Sequence, residues 1–422
     1  MSTAFKSGLS RRSFLSSLGA ASVAATSLRG FAAVQGVSAP HPVRGVGDSD
    51  ALSLDRSIED EIVFISMNEN PLGPAQSALD AICKMAAVGN RYHGEVVQAT
   101  VSTALDLSGL KRGYVGLFPG SVGPLNLALM SHIGPDKALV YGDPSYEQGA
   151  GVADMVGAPK FPVKLTSTYA HDVRAMVAAT PKAGAYYIVN PNNPTGTITP
   201  KADIVWLLKN KPAGSVVIVD EAYLDFSNEE SCIDLVAADQ DIIVTRTFSK
   251  IYGMAGIRAG LVFARPEYFQ KFRAIAPYAP TLASVSVTSA AAAQAALLDK
   301  ELVPLRRKIN ADVRSETLEF LAKRAYSVVP GSQTNFFMVD VRRPGGEFQS
   351  AMLGENVAIG RTWAAMPTYV RVSVGSKSEM AKFQAAFVKC MEQPSTTVNG
   401  AASLHVPALN PSELHRNYAA FA

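Results

Sequence analysis

Between residues 76 and 264 the chain alternates two textures. Short, unbroken apolar runs stand at 115–118, 138–141, 185–189, 216–219, 242–244 and 261–263, and helix-like stretches such as 201–209 separate several of them. A run that is apolar at every position, not at every second one, suits a strand covered on both faces, as in a parallel sheet sandwiched by helices. The alternation predicts an α/β fold with an open, doubly wound large domain over residues 76–285. After that the texture changes. An alanine-rich stretch (289–298) leads into a long amphipathic segment (301–324), then β-like runs at 336–341 and 369–374 and a closing helix near 377–391. These predict a connecting helix and a smaller α+β domain over 286–392, joined from the other end of the chain by residues 51–75. The tail, 393–422, is polar and without period.

The beginning of the chain reads differently again. Ser10-Arg11-Arg12-Ser13-Phe14-Leu15 precedes an Ala/Ser/Leu-rich run with few charges, then small residues and a Gly/Pro/Ser-rich stretch. Basic, apolar and small-residue zones in that order make a secretory signal, and paired arginines before Phe-Leu resemble the twin-arginine type. Residues 1–34 are therefore expected to be an export signal and 35–50 a linker, which places the protein in the periplasm by way of the twin-arginine machinery. The apolar run is too short and too rich in serine and glycine to span a bilayer.

Composition narrows the function. A net charge of +3 on 422 residues gives no footprint for nucleic acid. Three dispersed cysteines and six scattered histidines have neither disulfide nor metal-site spacing, so no metal is expected. The chemistry concentrates at strand ends. Lys250 follows the apolar run 242–244 and sits between Ser249 and a glycine-spaced stretch ending at Arg258. A lysine desolvated at the end of a buried strand has a lowered pKa and a nucleophilic amine. Asn190-Pro191-Asn192-Asn193-Pro194-Thr195-Gly196 follows the run 185–189, and its prolines and glycine fix a loop whose amides point into a crevice. Asp220 ends the run 216–219 and leads to Tyr223; it is either the buried partner of a cationic heterocyclic nitrogen or an N-cap. Gly120-Ser121-Val122-Gly123 joins the run 115–118 to a helix expected from Pro124, and a helix N-terminus favours a phosphate. Arg258 can add a bidentate anion contact.

These segments, with Asn68-Glu69-Asn70-Pro71-Leu72-Gly73-Pro74 and Arg91-Tyr92, resemble the pyridoxal-phosphate enzymes of the aspartate-aminotransferase fold (fold type I, class I/II), and most closely the histidinol-phosphate aminotransferase-like branch, over roughly residues 60–392. The resemblance implies pyridoxal 5'-phosphate as cofactor and an amino acid and a 2-oxo acid as substrates. It makes Lys250 the Schiff-base lysine and proton shuttle, and Asp220 the partner of the pyridine nitrogen. Asn193 and Tyr223 would bond the phenolic oxygen, with Tyr146 stacked on the ring. Gly120, Ser121, Ser249 and Arg258 would hold the phosphate, reached also by Tyr92 from the other subunit of a homodimer. Arg371 would clamp the substrate carboxylate, with Arg361 a second anion contact and Asn70 beside the substrate. Three departures stand out: Val122-Gly123 replaces the branch's usual acidic pair, His93 replaces a common proline, and the export signal is foreign to cytoplasmic histidine biosynthesis. The expected activity is transamination. Decarboxylation or oxidative deamination on the same scaffold is the alternative, and a cofactor-binding regulator lacks a DNA-binding segment ahead of the fold.

Overall fold

A computed structural model describes residues 62–281 and 284–393. The expected export signal, the linker and all but the first residue of the tail lie outside the described residues. The strands are β1 (Val63–Ile65), β2 (Val115–Phe118), β3 (Ala138–Asp143), β4 (Lys160–Lys164), β5 (Ala183–Val189), β6 (Val216–Asp220), β7 (Ile242–Thr247), β8 (Gly260–Ala264), β9 (Phe336–Asp340), β10 (Val357–Ile359) and β11 (Tyr369–Ser373).

Seven of them form one sheet in the order β2-β8-β7-β6-β5-β3-β4. Pairings among β4, β3, β5, β6 and β7 are all parallel, whereas β8 runs antiparallel to both β7 and β2. The six apolar runs are six of these strands. Their unbroken apolarity follows from burial on both sides: Val140, Tyr186, Val217, Val219 and Val244 face one core, while Leu139, Tyr187, Ile218 and Ile243 face the other. The sheet is mostly parallel, as expected, and β8 is its antiparallel exception. No helix lies between β7 and β8 to carry a parallel crossover, and the chain turns back beside itself. The runs did not include β4. It is the sheet's edge, Lys160, Pro162 and Lys164 are exposed, and proline and lysine there block edge-to-edge pairing while hiding the strand from an apolarity count.

Beyond β8, the alanine-rich helix Val287–Leu298 and the helix Leu302–Ala322 lead to the smaller unit. There β9 pairs antiparallel with β11, and β1 pairs in parallel with β10. Val63 and Ile65 therefore pack among Phe337, Phe348, Val372, Phe383 and Phe387, and the N-terminal segment completes the small core. The closing helix Lys377–Glu392 is started by a reciprocal Ser376–Glu379 capping box.

Candidate active site

In an open α/β sheet the crevice lies outside the carboxyl ends of the parallel strands. Each expected strand-end residue is there: Gly120 after β2, Tyr146 after β3, Asn193 after β5, Asp220 and Tyr223 at β6, and Ser249 and Lys250 after β7. Because β8 is antiparallel, its starting end shares that edge, and Arg258 sits just ahead of it.

One end of the crevice is built for an anion. The helix after Gly120 begins at Val122, two residues before Pro124, and the Ser121 hydroxyl makes no cap bond, so its first-turn amides face the crevice without a side-chain partner. Arg258 holds a left-handed backbone (φ 62°), and a β-carbon added at Gly120 would run into its guanidinium. Arg258 Nη1 also donates to Ser249 Oγ at 3.3 Å, and Thr247 donates to the same oxygen at 2.9 Å. Glycine at 120 thus lets a cation, a hydroxyl and a helix N-terminus converge.

The middle holds the acid and the amine. Asp220 is buried and accepts bonds from Thr245 Oγ1 (3.1 Å), the Ala222 N–H (3.2 Å) and Tyr187 Oη (3.3 Å). The 3-10 turn that follows starts at Leu224 with Tyr223 ahead of it, so Asp220 is no N-cap. Burial raises its pKa despite those bonds, which marks a carboxyl short of a cationic partner. Lys250 Nζ donates to the Met67 carbonyl at 3.1 Å and stands 5.6 Å from the centre of the Tyr223 ring. Burial, with Arg371 nearby, lowers its pKa to about 8.

Asn68 ties this region to the small unit. It is 1% exposed and left-handed (φ 55°), a conformation asparagine tolerates better than most residues. Its Nδ2 donates to Tyr223 Oη at 3.0 Å, while Oδ1 accepts from Ser373 Oγ at 2.9 Å. The phenol oxygen is thereby engaged as an acceptor, leaving its own O–H to point elsewhere in the crevice. Ser373 lies on β11 two residues beyond Arg371.

Arg371 is 6% exposed. Nη1 donates to Asn193 Oδ1 at 2.7 Å and Nη2 to the Ser66 carbonyl at 2.6 Å, while buried Nε has no partner. No ion pair among the described residues includes it, and burial lowers its pKa to about 10. A buried guanidinium bonded only to neutral acceptors is chemically suited to receive a carboxylate.

The structure also sorts the asparagine loop. Asn190 bonds both ways to the Thr199 backbone, and Asn192 accepts from Ser145 and donates to Pro144 and Thr195. Both brace the loop, so of the three only Asn193 presents its amide to the crevice. Asn70 likewise gives its amide to the Ile251 carbonyl (2.9 Å) and accepts from the Leu72 N–H (3.1 Å). Both its ends are engaged, one in its own turn and one in bracing the turn after Lys250, where Arg306 bonds the same carbonyl (3.0 Å). Arg361 lies at the rim, paired with Glu147 at 3.0 Å. Tyr92 is 82% exposed and bonded to none of these groups; His93, left-handed and bonded to Glu95 and the Val88 carbonyl, fixes the turn behind it. Sequence reasoning gave no role to Asn68, Tyr187, Thr245, Glu147 or Trp363. Thr245 is the direct cross-strand neighbour of Asp220, a relation that only register reveals.

The model of the aminotransferase class I and II family matches residues 59–387. The chain belongs to that family. Within it the aminotransferase is 33% identical over 343 residues to a histidinol-phosphate aminotransferase of Cupriavidus pinatubonensis, covering 78% of this chain and 89% of that one. It is 29% identical over 323 residues to an aromatic amino acid aminotransferase of Cutibacterium acnes, covering 75% of this chain and 89% of that one. The histidinol-phosphate aminotransferase of Sinorhizobium meliloti, solved in complex with pyridoxal-5'-phosphate, superposes with a TM-score of 0.71 at 23% identity, over 80% of this chain and 94% of that one. The aminotransferase is thus of the histidinol-phosphate aminotransferase-like branch, with the fold-type I architecture.

The donor set suits a phosphorylated pyridine aldehyde: an anion cup, a buried carboxyl short of a cation, and a desolvated amine between them. One consequence is testable in the cofactor-free aminotransferase. Only the neutral amine is nucleophilic, so cofactor uptake followed by absorbance should rise with pH with a midpoint near 8, not near the ordinary lysine value of 10.5. The same shift fixes a sign for stability. Between about 8 and 10.5 the unfolded chain binds more protons than the folded one, so the cofactor-free fold should gain stability as pH rises through that window.

Proposed function

We propose that this pyridoxal 5'-phosphate-dependent aminotransferase uses Lys250 as its attachment and proton-transfer residue, with Arg371 receiving the α-carboxylate of the amino acid or 2-oxo acid. The observation that carries the reading is the convergence at one sheet edge of a buried carboxyl, Asp220 at the end of β6, an amine, Lys250 after β7, and a buried, acid-free guanidinium, Arg371, bonded to Asn193 of the same edge. When bound, the cofactor supplies the electron sink for the pair left at the substrate α-carbon. The chain's residues do the rest. Ser249, Arg258 and the Gly120–Ser121 turn hold the phosphate. Asp220 would keep a proton on the ring nitrogen and so gain the cation its burial calls for. Tyr223, with its oxygen already accepting from Asn68, would donate its proton to the ring's phenolic oxygen together with the Asn193 amide, and the Tyr146 ring would offer a stacking face. Lys250 Nζ, neutral above about pH 8, would take a proton from the substrate α-carbon and return it on the cofactor side.

A homodimer in which Tyr92 completes the partner's phosphate site is supported by that residue's exposure and its lack of bonds to its own crevice. Export by the twin-arginine route is supported by Arg11-Arg12 and the segment after them, and suits an enzyme that folds around its cofactor before it crosses a membrane. The reaction is tested by adding an amino acid alone, removing it, and then supplying a 2-oxo acid. The amino group should stay with the holoenzyme through the first step and leave in the second. Release of ammonia or carbon dioxide instead would replace transamination with another reaction.

A further inference from the structure

At the rim of the crevice two arginines share one indole. The Arg361 and Arg371 guanidinium carbons stand 5.1 and 5.4 Å from the centre of the Trp363 ring, which is buried and fixed by an Nε1–H bond to the Ser145 carbonyl at 3.1 Å. They differ in one respect. Arg371 has no acid, whereas Arg361 is paired with Glu147 at 3.0 Å, the two side chains being 46% and 54% exposed. Glu147 directly follows Tyr146, so the segment that brings the aromatic ring to the crevice also brings this carboxylate to its mouth. With the α-carboxylate on Arg371, the substrate's side chain extends along Trp363 and Tyr146 toward Arg361.

We infer that Glu147 is a specificity-determining residue: its carboxylate fills the anion position at Arg361, so the aminotransferase selects amino acids with uncharged, apolar or aromatic side chains over those ending in a carboxylate or phosphate. This rests on the proposed role of Arg371. The exposed pair need not be strong to do this. A neutral side chain leaves it intact and finds apolar walls, and covering the pair strengthens it by excluding water. An anionic side chain must displace Glu147 or lie beside it, and in both cases meets a like charge with no net positive charge to offset it.

The test uses unreactive ligands on the cofactor-loaded protein, 3-phenylpropionate as the neutral probe and glutarate as the anionic one, with affinities from calorimetry. The wild type should favour phenylpropionate. Glu147→Gln should raise the affinity ratio of glutarate to phenylpropionate at least about tenfold, and adding Arg361→Gln should cancel that gain. The same shift should appear in kcat/KM for glutamate against phenylalanine. A ratio that moves less than about threefold in Glu147→Gln, or a wild type that already favours glutarate, overturns the inference. Failure of both ligands to bind the wild type removes the Arg371 receptor and the inference with it. Selective binding without any amino transfer refutes the reaction alone and leaves the role of Glu147 standing.

Discussion

Lys250→Ala should lose amino transfer almost completely, with kcat reduced by at least about 10⁴-fold, since attachment and proton transfer vanish together. The variant should still take up cofactor, because the phosphate cup of Ser249, Arg258 and the Gly120 turn is intact, but borohydride should no longer fix it to the chain. The fold should survive. Lys250 gives one hydrogen bond, to the Met67 carbonyl, and its half-buried amine is held against a desolvation cost that alanine does not have. A small primary amine added to the solution should restore part of the rate, replacing the missing base while leaving the missing tether unrepaired. Activity within about a hundredfold of wild type would show that another group moves the proton.

Arg371→Met should move activity and stability in different directions. Loss of the carboxylate receptor is worth roughly 2–5 kcal/mol, so kcat/KM should fall by about thirtyfold or more, mostly through KM for both the amino acid and the 2-oxo acid. Stability should hold or rise. In the unliganded protein the guanidinium is buried without an acid, and replacing a buried charge by an apolar side chain of similar volume is commonly neutral or stabilising. The two bonds to Asn193 and the Ser66 carbonyl oppose that gain, which limits it to about 1 kcal/mol. Denaturant unfolding beside steady-state kinetics measures both. A variant that is clearly less stable would mean that Arg371 is structural. Arg371→Lys should rescue little, because a point charge cannot reproduce a planar fork.

What the sequence reveals here follows from what burial demands. The sheet was legible because strands covered on both faces have to be apolar throughout. The strand ends were legible because Lys250, Asp220 and the Asn-Pro-rich loop break those runs with groups that need partners. Relations across the chain were hidden. Nothing in the sequence pairs Asp220 with Thr245, or Asn68 with both Tyr223 and Ser373, because these depend on strand register and on how the N-terminal arm is laid across the crevice. The direction of β8 was hidden for a similar reason, since an apolar strand reads the same in both orientations. Asn190, Asn192 and Asn193 look equivalent as residues, and only the fold assigns two of them to bracing. Glu147 reads as an ordinary charged residue until its distance to Arg361 is known.

The N-terminal arm sets a limit on how the chain can be matured. Within ten residues it supplies a strand of the small sheet (β1), a carbonyl acceptor for Arg371 (Ser66), the acceptor that holds the Lys250 amine (Met67), the anchor of the Tyr223 phenol (Asn68) and a brace for Ile251 (Asn70). A peptidase that removed a leader would have to act ahead of this arm to leave these bonds in place. Trimming past Val63 would take away part of a small core and begin to dismantle the crevice from its edge.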